Sequence, residues 1–269
     1  EGVEGLCVEI TEGTIRINSE DDGINAAGKK DENPAADTLA FENSFGNRRG
    51  QDGGSFGVTE GAYIRISGGD VKINASGDGI DSNGDLYLEG GTVLVEGPAG
   101  GGDGALDYDG EGSISGGTIL AVGSAGMFRT FSEESSQSML VVYFDEIQAA
   151  GSTISVKDGQ GNQLTETKVS KTFEALLFSS PELKTGEIYY IEAGDQDIQV
   201  AVNSILNQYG GPSGSGFGRM PGGGAGDFEK KPGAGNISGK ASVVGIQEAL
   251  LAETLPEGIH ILESRGNVE

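Results

Sequence analysis

Short runs in which apolar and polar residues alternate recur through the first half of the chain, each preceded by a glycine turn. Four of them align: Glu12-Gly13-Thr14-Ile15-Arg16-Ile17, Gly68-Gly69-Asp70-Val71-Lys72-Ile73, Gly90-Gly91-Thr92-Val93-Leu94-Val95 and Gly116-Gly117-Thr118-Ile119-Leu120-Ala121. A period of two predicts strands with one buried face. Asp70 and Thr92 stand 22 residues apart, and Thr92 and Thr118 stand 26 apart. That spacing suits one turn of a stacked-strand repeat. Thr14 and Asp70 are 56 residues apart, and residues 28–60 supply the excess. Gly46, Gly50, Gly53, Gly54 and Gly57 among polar residues predict a loop inserted there.

A second element recurs between these strands. It reads Asp21-Asp22-Gly23-Ile24-Asn25, then Gly77-Asp78-Gly79-Ile80-Asp81, then Gly102-Asp103-Gly104-Ala105-Leu106-Asp107. A third, weaker strand follows at Asp85–Leu88 and Ser113–Ser115. The order strand, Asp-Gly turn, strand, glycine turn predicts an all-β fold, a right-handed parallel β-helix over residues 1–138. Ile15, Ile17, Val71, Ile73, Val93, Val95 and Ile119 point inward and stack on their equivalents. The competing reading is an immunoglobulin-like sandwich, but hairpin turns would not return the same Asp-Gly step at a fixed phase.

The pattern changes near residue 139. Met139–Phe144, Thr153–Val156, Phe173–Phe178 and Glu187–Ile191 read as strands, and Asp158-Gly159-Gln160-Gly161-Asn162 reads as a hairpin turn. Residues 139–209 are therefore predicted to be a small antiparallel β unit that caps or flanks the helix and covers its last strand edges. Residues 210–240 read as a Gly-rich linker. Beyond it lies a short C-terminal segment, 241–269, with a helix at Ala241–Leu255 or none, and a strand at Gly258–Glu263.

Charge narrows the function. Lys and Arg number 17 against 42 Asp and Glu, for a net charge of −25. A basic footprint for nucleic acid is missing, and an anionic membrane surface is disfavoured on the same ground. No apolar run is long enough to span a bilayer. The single cysteine, Cys7, has no partner for an internal disulfide and reads as a small buried apolar residue. Glu1-Gly2-Val3-Glu4-Gly5 reads like a repeat already under way, so the sequence is expected to be part of a longer secreted or cell-surface protein.

Carboxylates at fixed places in a repeat suggest a hard cation. Ca2+ takes about six to eight oxygens, more than one turn offers but within reach of stacked turns. Asp22, Asn25, Asp78, Asp81, Asp103 and Asp107 are the candidate ligands, followed by Asp21 and Asp109. The alternative is that these side chains cap their own turns. Stacked like charges, however, repel unless a cation or proton sits between them.

The stretches Asp21–Gly28, Ala75–Gly84 and Gly104–Gly110 resemble the carbohydrate-binding β-helix family of anaerobic bacteria, whose fold is similar to that of pectate lyases. Ser179-Ser180-Pro181-Glu182-Leu183-Lys184-Thr185-Gly186-Glu187 is similar to the β region downstream in that family. The resemblance covers roughly residues 1–195. It implies a calcium-containing, extracellular protein that binds plant cell-wall polysaccharide, cellulose or polygalacturonate (pectin), without established lyase activity.

Where sugar would bind is less directly written. Aromatic residues are 6% of the chain and Trp is absent, so no wide flat platform is legible. Tyr108 and Tyr87 are the candidates for carbohydrate contact, with Phe41, Phe45 and Phe56 behind them. Two other functions are weighed. A pectate-lyase-type enzyme would need a base beside the metal, and Lys72 and Arg65 match no lyase motif and read as solvated outer charges. The only histidine, His260, lies outside the repeat. The other is a structural adhesin or spacer built on the same acidic rod.

Overall fold

A computed structural model describes residues 2–27 and 58–211 in full and the backbone of residues 259–262. These residues form strands and turns, with no helix among them. They fall within one compact unit. Of the expected loop at 28–60 only residues 58–60 are described, and of the expected linker at 210–240 only residues 210 and 211; the helix at 241–255 lies outside the described residues, as do Phe41, Phe45 and Phe56.

The repeat becomes two runs of parallel pairing. In the first, β1 (Val3–Gly5), β4 (Ile24–Ala26), β6 (Ile80–Ser82) and β8 (Leu106–Tyr108) lie side by side in that order, every pair parallel. In the second, β2 (Cys7–Ile10) and β3 (Thr14–Ser19) both pair in parallel with β5 (Tyr63–Ala75). Next come β7 (Asp85–Glu96) and β9 (Gly112–Gly123), again parallel. The weak third strand and the strong first strand of each repeat are thus one continuous element, bent where the register shifts at its paired glycines. Gly69, Gly91 and Gly117 take φ of 89°, 82° and 77° at that bend, a left-handed conformation that glycine adopts without a Cβ penalty.

Registered stacking explains the apolar spacing. Val3, Ile24, Ile80 and Leu106 form one column. Ile15, Val71, Val93 and Ile119 form another, and Ile17, Ile73, Val95 and Ala121 a third. All belong to one buried core. The Asp-Gly turns must pass close over it: a Cβ on Gly79 would stand 2.2 Å from Val95 and 2.4 Å from the Ala105 carbonyl.

Beyond residue 138 the chain keeps the sheet but reverses its sense. β13 (Phe173–Ser179) pairs antiparallel with β9, β10 (Met139–Gln148) pairs antiparallel with β13, and β16 (Leu206–Tyr209) adds to β10 in parallel. β10 and β13 are buried on both faces. Met139, Val141, Ala175 and Leu177 face the first core, and Leu140, Val142, Leu176 and Phe178 face a second one. A strand buried on both sides reads as a continuous apolar run, which is why Met139–Phe144 does not alternate. Over the second core lies an antiparallel sheet ordered β12 (Gln163–Lys168), β11 (Thr153–Asp158), β14 (Ile188–Ala193), β15 (Gln196–Ala201). At the other end of the large sheet, β17 (Ile259–Leu262), the expected C-terminal strand, pairs antiparallel with β2.

Candidate functional site

The parallel register turns the recurring acids into columns. Asn25, Asp81 and Asp107 are successive partners across β4, β6 and β8, with Glu4 on β1 preceding them. Adjacent strands lie about 4.8 Å apart, so each carboxylate meets the next at short range. A second column runs along the turns. The Asp22 Oδ1 accepts from the backbone N–H of Asp78 at 2.8 Å, and the Asp78 Oδ1 accepts from that of Gly104 at 2.5 Å. These carboxylates cap the neighbouring repeat and not their own turn. The Asn25 side-chain amide joins the columns by donating to the Asp22 Oδ2 at 3.1 Å.

Register also separates the candidates. The Gly79 N–H donates to the Gly104 carbonyl, just as that of Gly23 donates to the Asp78 carbonyl, so Gly104 is the counterpart of Asp78. Asp103 therefore corresponds to Gly77 and Asp21, one place earlier than its Asp-Gly motif suggests. The cause is Ala105, which lengthens the third motif by one residue. Asp21 and Asp103 are exposed at the rim. Asp107 is half-buried and ion-paired with Arg129 at 2.6 Å, and the same guanidinium donates to the Tyr108 carbonyl. Asp109 is exposed beside them.

Electrostatics mark the middle of the columns as strained. Burial, and then the carboxylates of Asp107, Asp103 and Asp22, push Asp78 up to about 6 against the pull of the Gly104 N–H. Burial and the charges of Asp22, Asp78, Asp107 and Asp109 push Asp81 up to about 7. Burial and Asp107 also raise Asp109, which Arg129 counteracts. Asn25 is only 8% exposed, and its Oδ1 is buried with no hydrogen-bond partner. An orphaned acceptor beside carboxylates that resist ionising together is what an oxygen-seeking cation would relieve. Among the described residues, no three His, Cys, Asp or Glu side chains converge closely enough to form a ready-made metal cage.

The two tyrosine candidates differ. Tyr108 is 8% exposed, its hydroxyl donates to the Thr130 carbonyl at 2.6 Å, and Arg129 lies 4.4 Å from its ring centroid. Its ring is occupied by packing. Tyr87 is half-buried on the outer side of β7, donates to the Asp85 Oδ2 at 2.8 Å, and has the Arg65 guanidinium 5.2 Å from its ring. Lys72 and Arg65 are outer-face charges with side chains 40% and 41% exposed, and each has an acidic neighbour. Lys72 is 3.3 Å from the fully buried Glu96, and Arg65 is 3.4 Å from Glu89.

Two further positions carry contacts that the sequence does not single out. Asp85 repeats the inter-strand cap, its Oδ1 accepting from the Glu111 N–H at 2.8 Å. Tyr63 joins Arg65 and Tyr87, with its hydroxyl donating to Glu9 at 2.8 Å and Arg65 5.7 Å from its ring. The signal was present in Tyr63-Ile64-Arg65-Ile66 and Asp85-Leu86-Tyr87-Leu88, two alternating runs in the same phase. A cleft of about 460 Å³ lies elsewhere, lined by Ser76, Pro98, Gly100, Lys171 and Thr172 among others. The Lys171 ammonium is spent on the Ala75 and Glu96 carbonyls.

These features describe an all-β protein with stacked parallel strands and an acidic ladder along one side. Residues 3–125, a little under half of the chain, match the sequence profile of a family described as carbohydrate-binding domain-containing protein. No curated protein and no solved structure matches the chain.

Proposed function

We propose that residues 3–123 form a right-handed parallel β-helix that binds polysaccharide without chemical conversion and is braced by calcium on its acidic ladder. Carbohydrate binding is supported by the family match over residues 3–125. Calcium is supported by one observation above the others. Asn25 leaves a buried oxygen unpartnered at the junction of two columns in which burial, and then neighbouring carboxylates, drive Asp78 and Asp81 toward protonation. Asp22, Asn25, Asp78 and Asp81 would hold the ion, with Asp21, Asp103, Asp107 and Asp109 at the margins. The bound cation would supply positive charge between the carboxylates and nothing more. Asp107 already has a tethered cation in Arg129, so the ladder's centre is where an added ion relieves most repulsion.

Plant cell-wall polymers, cellulose or polygalacturonate, are the substrate class we favour, in an extracellular setting where calcium is abundant enough for sites with dissociation constants of about 10⁻⁴–10⁻³ M. Depletion of the protein by insoluble cellulose and by polygalacturonate gel, with calcium or with EGTA, tests this. Retention on at least one polymer is expected, and passage through every polymer in both buffers would leave only the spacer reading. A lyase-type reaction would need a free base beside the ladder. Arg129 stands there, but it is committed to Asp107 and the Tyr108 carbonyl. No absorbance from unsaturated products is expected with polygalacturonate and calcium.

A further inference from the structure

We propose that the outer face of the parallel sheet at Tyr63, Arg65 and Tyr87 is a binding site for a neutral polysaccharide chain, and that it works independently of the acidic ladder. The proposal rests on the carbohydrate-binding reading above and gives it a place. Glu9, Arg65, Tyr87 and Ser113 are successive partners across β2, β5, β7 and β9, with Tyr63 two residues before Arg65 on the same face. The later halves of β7 and β9 turn their outer side chains, Leu94 and Leu120, into the second core. The earlier halves keep theirs in contact with solvent: Tyr63 and Tyr87 are half-buried, and the Arg65 side chain is 41% exposed.

The rings are held in place before any ligand arrives. Each hydroxyl is tied to a carboxylate, Tyr63 to Glu9 and Tyr87 to Asp85, and the guanidinium between them lies within 6 Å of both ring centroids. Such fixed aromatic surface loses little freedom on binding. Rings present an apolar face to the C–H side of a pyranose, and polar groups at their edges fix its hydroxyls. Ser113 is the small neighbour on the far side of Tyr87, where a larger side chain would crowd the ring. Strands spaced about 4.8 Å apart recur at close to the length of one pyranose unit, so a chain lying across them meets one position of the row per sugar.

Charge selects the kind of chain. Glu9 and Asp85 hold the two tyrosine hydroxyls and Glu89 pairs with Arg65, so among the described residues carboxylates outnumber cations on this face. Carboxylates accept from sugar hydroxyls and repel uronate carboxylates, so the face favours a neutral chain over an acidic one. The Arg65 Nε is buried without a hydrogen-bond partner, which leaves this guanidinium short of acceptors even with Glu89 beside it.

Affinity electrophoresis through gels containing a soluble neutral β-glucan or polygalacturonate, run in EGTA and in calcium, tests the site. Wild-type protein should be retarded by the neutral glucan equally in both buffers. Tyr63→Ala/Tyr87→Ala should weaken that retardation roughly tenfold, the scale of losing aromatic contacts. Tyr63→Phe/Tyr87→Phe, which keeps the rings, should retain most of it. Ser113→Lys crowds the platform without removing a packed ring, and should weaken binding while leaving the melting temperature unchanged. A folded Ser113→Lys or double-alanine variant that binds the neutral glucan like wild type would overturn the proposal, as would retardation of wild type only in calcium. Wild type that binds no polymer in either buffer would instead defeat the carbohydrate-binding reading itself.

Discussion

In the stack of residues 3–123 a side chain faces its own counterpart one repeat later, whereas in residues 139–209 it faces a residue from a different part of the sequence. The consequences differ at the acidic ladder, although unlike pairs such as Lys72–Glu96 and Arg65–Glu89 also form on the outer face of the stack. Parallel registration places Asp81 against Asp107 and Asn25, and Asp22 near Asp78, so like charges accumulate. Antiparallel pairing lets Lys157 on β11 reach Glu192 on β14, with 2.6 Å between Nζ and Oε1, so unlike charges meet. Backbones differ in the same way. Gly79 sits where the stack has no room for a Cβ, while the β11–β12 hairpin closes through Asp158, whose Oδ1 accepts from the N–H groups of Gln160 and Asn162. Repetition builds a core economically, but errors and charges repeat with it.

The largest effect should come from the antiparallel half. Phe178 is fully buried in the second core, on a strand that belongs to both. Phe178→Ala should cost about 3–5 kcal/mol in a denaturant titration. If it costs under about 1 kcal/mol, the two halves do not share β13 as described. Next comes the parallel half: Gly79→Ala forces a methyl group against Val95 and the Ala105 carbonyl and should cost about 1–3 kcal/mol. The same substitution at Gly159, where only the Ile188 carbonyl lies within contact at 3.4 Å, should cost far less, and equal losses would erase the contrast. Smallest should be Lys157→Ala, because a partly exposed pair contributes only about 0.2–1 kcal/mol by double-mutant cycle with Glu192.

Legibility in the sequence follows the same divide. The strands at Ile15–Ile17, Val71–Ile73 and Val93–Val95 could be read because burial alternates there and the alternation repeats. The tight φ of Gly69, Gly91 and Gly117 could be read as glycine turns. Cys7–Ile10 and Tyr63–Ile66 are harder to read as strands, since the glycine before each, Gly5 and Gly61, stands one residue further off than in the aligned runs. The Asp-Gly motif at Asp103 predicts a place one step later than the register that Ala105 sets. Tyr108 looked available because sequence does not reveal Arg129 folding back over its ring from 21 residues downstream. Tyr63 and Arg65 become neighbours of Tyr87 only through pairing of β5 with β7, a tertiary fact. The pairs Asp22–Asp78 and Asn25–Asp81, by contrast, follow from spacing alone, while Asp107 joins the second column only through the register that Ala105 sets.

The proposed bracing of the acidic ladder by a cation is tested most directly by thermal unfolding across pH with and without calcium. Asp78 and Asp81 have folded-state values raised to about 6 and about 7, so the folded chain holds more protons than the unfolded one from the ordinary carboxylate range up to about pH 7. Their contribution therefore falls as pH rises through that window and is lost above it. In EGTA the melting temperature should drop between about pH 5 and pH 8, and Asp78→Asn/Asp81→Asn should flatten that drop. Calcium should raise the melting temperature of wild type at about pH 8, do little at about pH 5, and do little to the double variant at either pH. A wild-type curve at pH 8 that calcium leaves unmoved, or a double variant that responds as wild type does, would contradict the account.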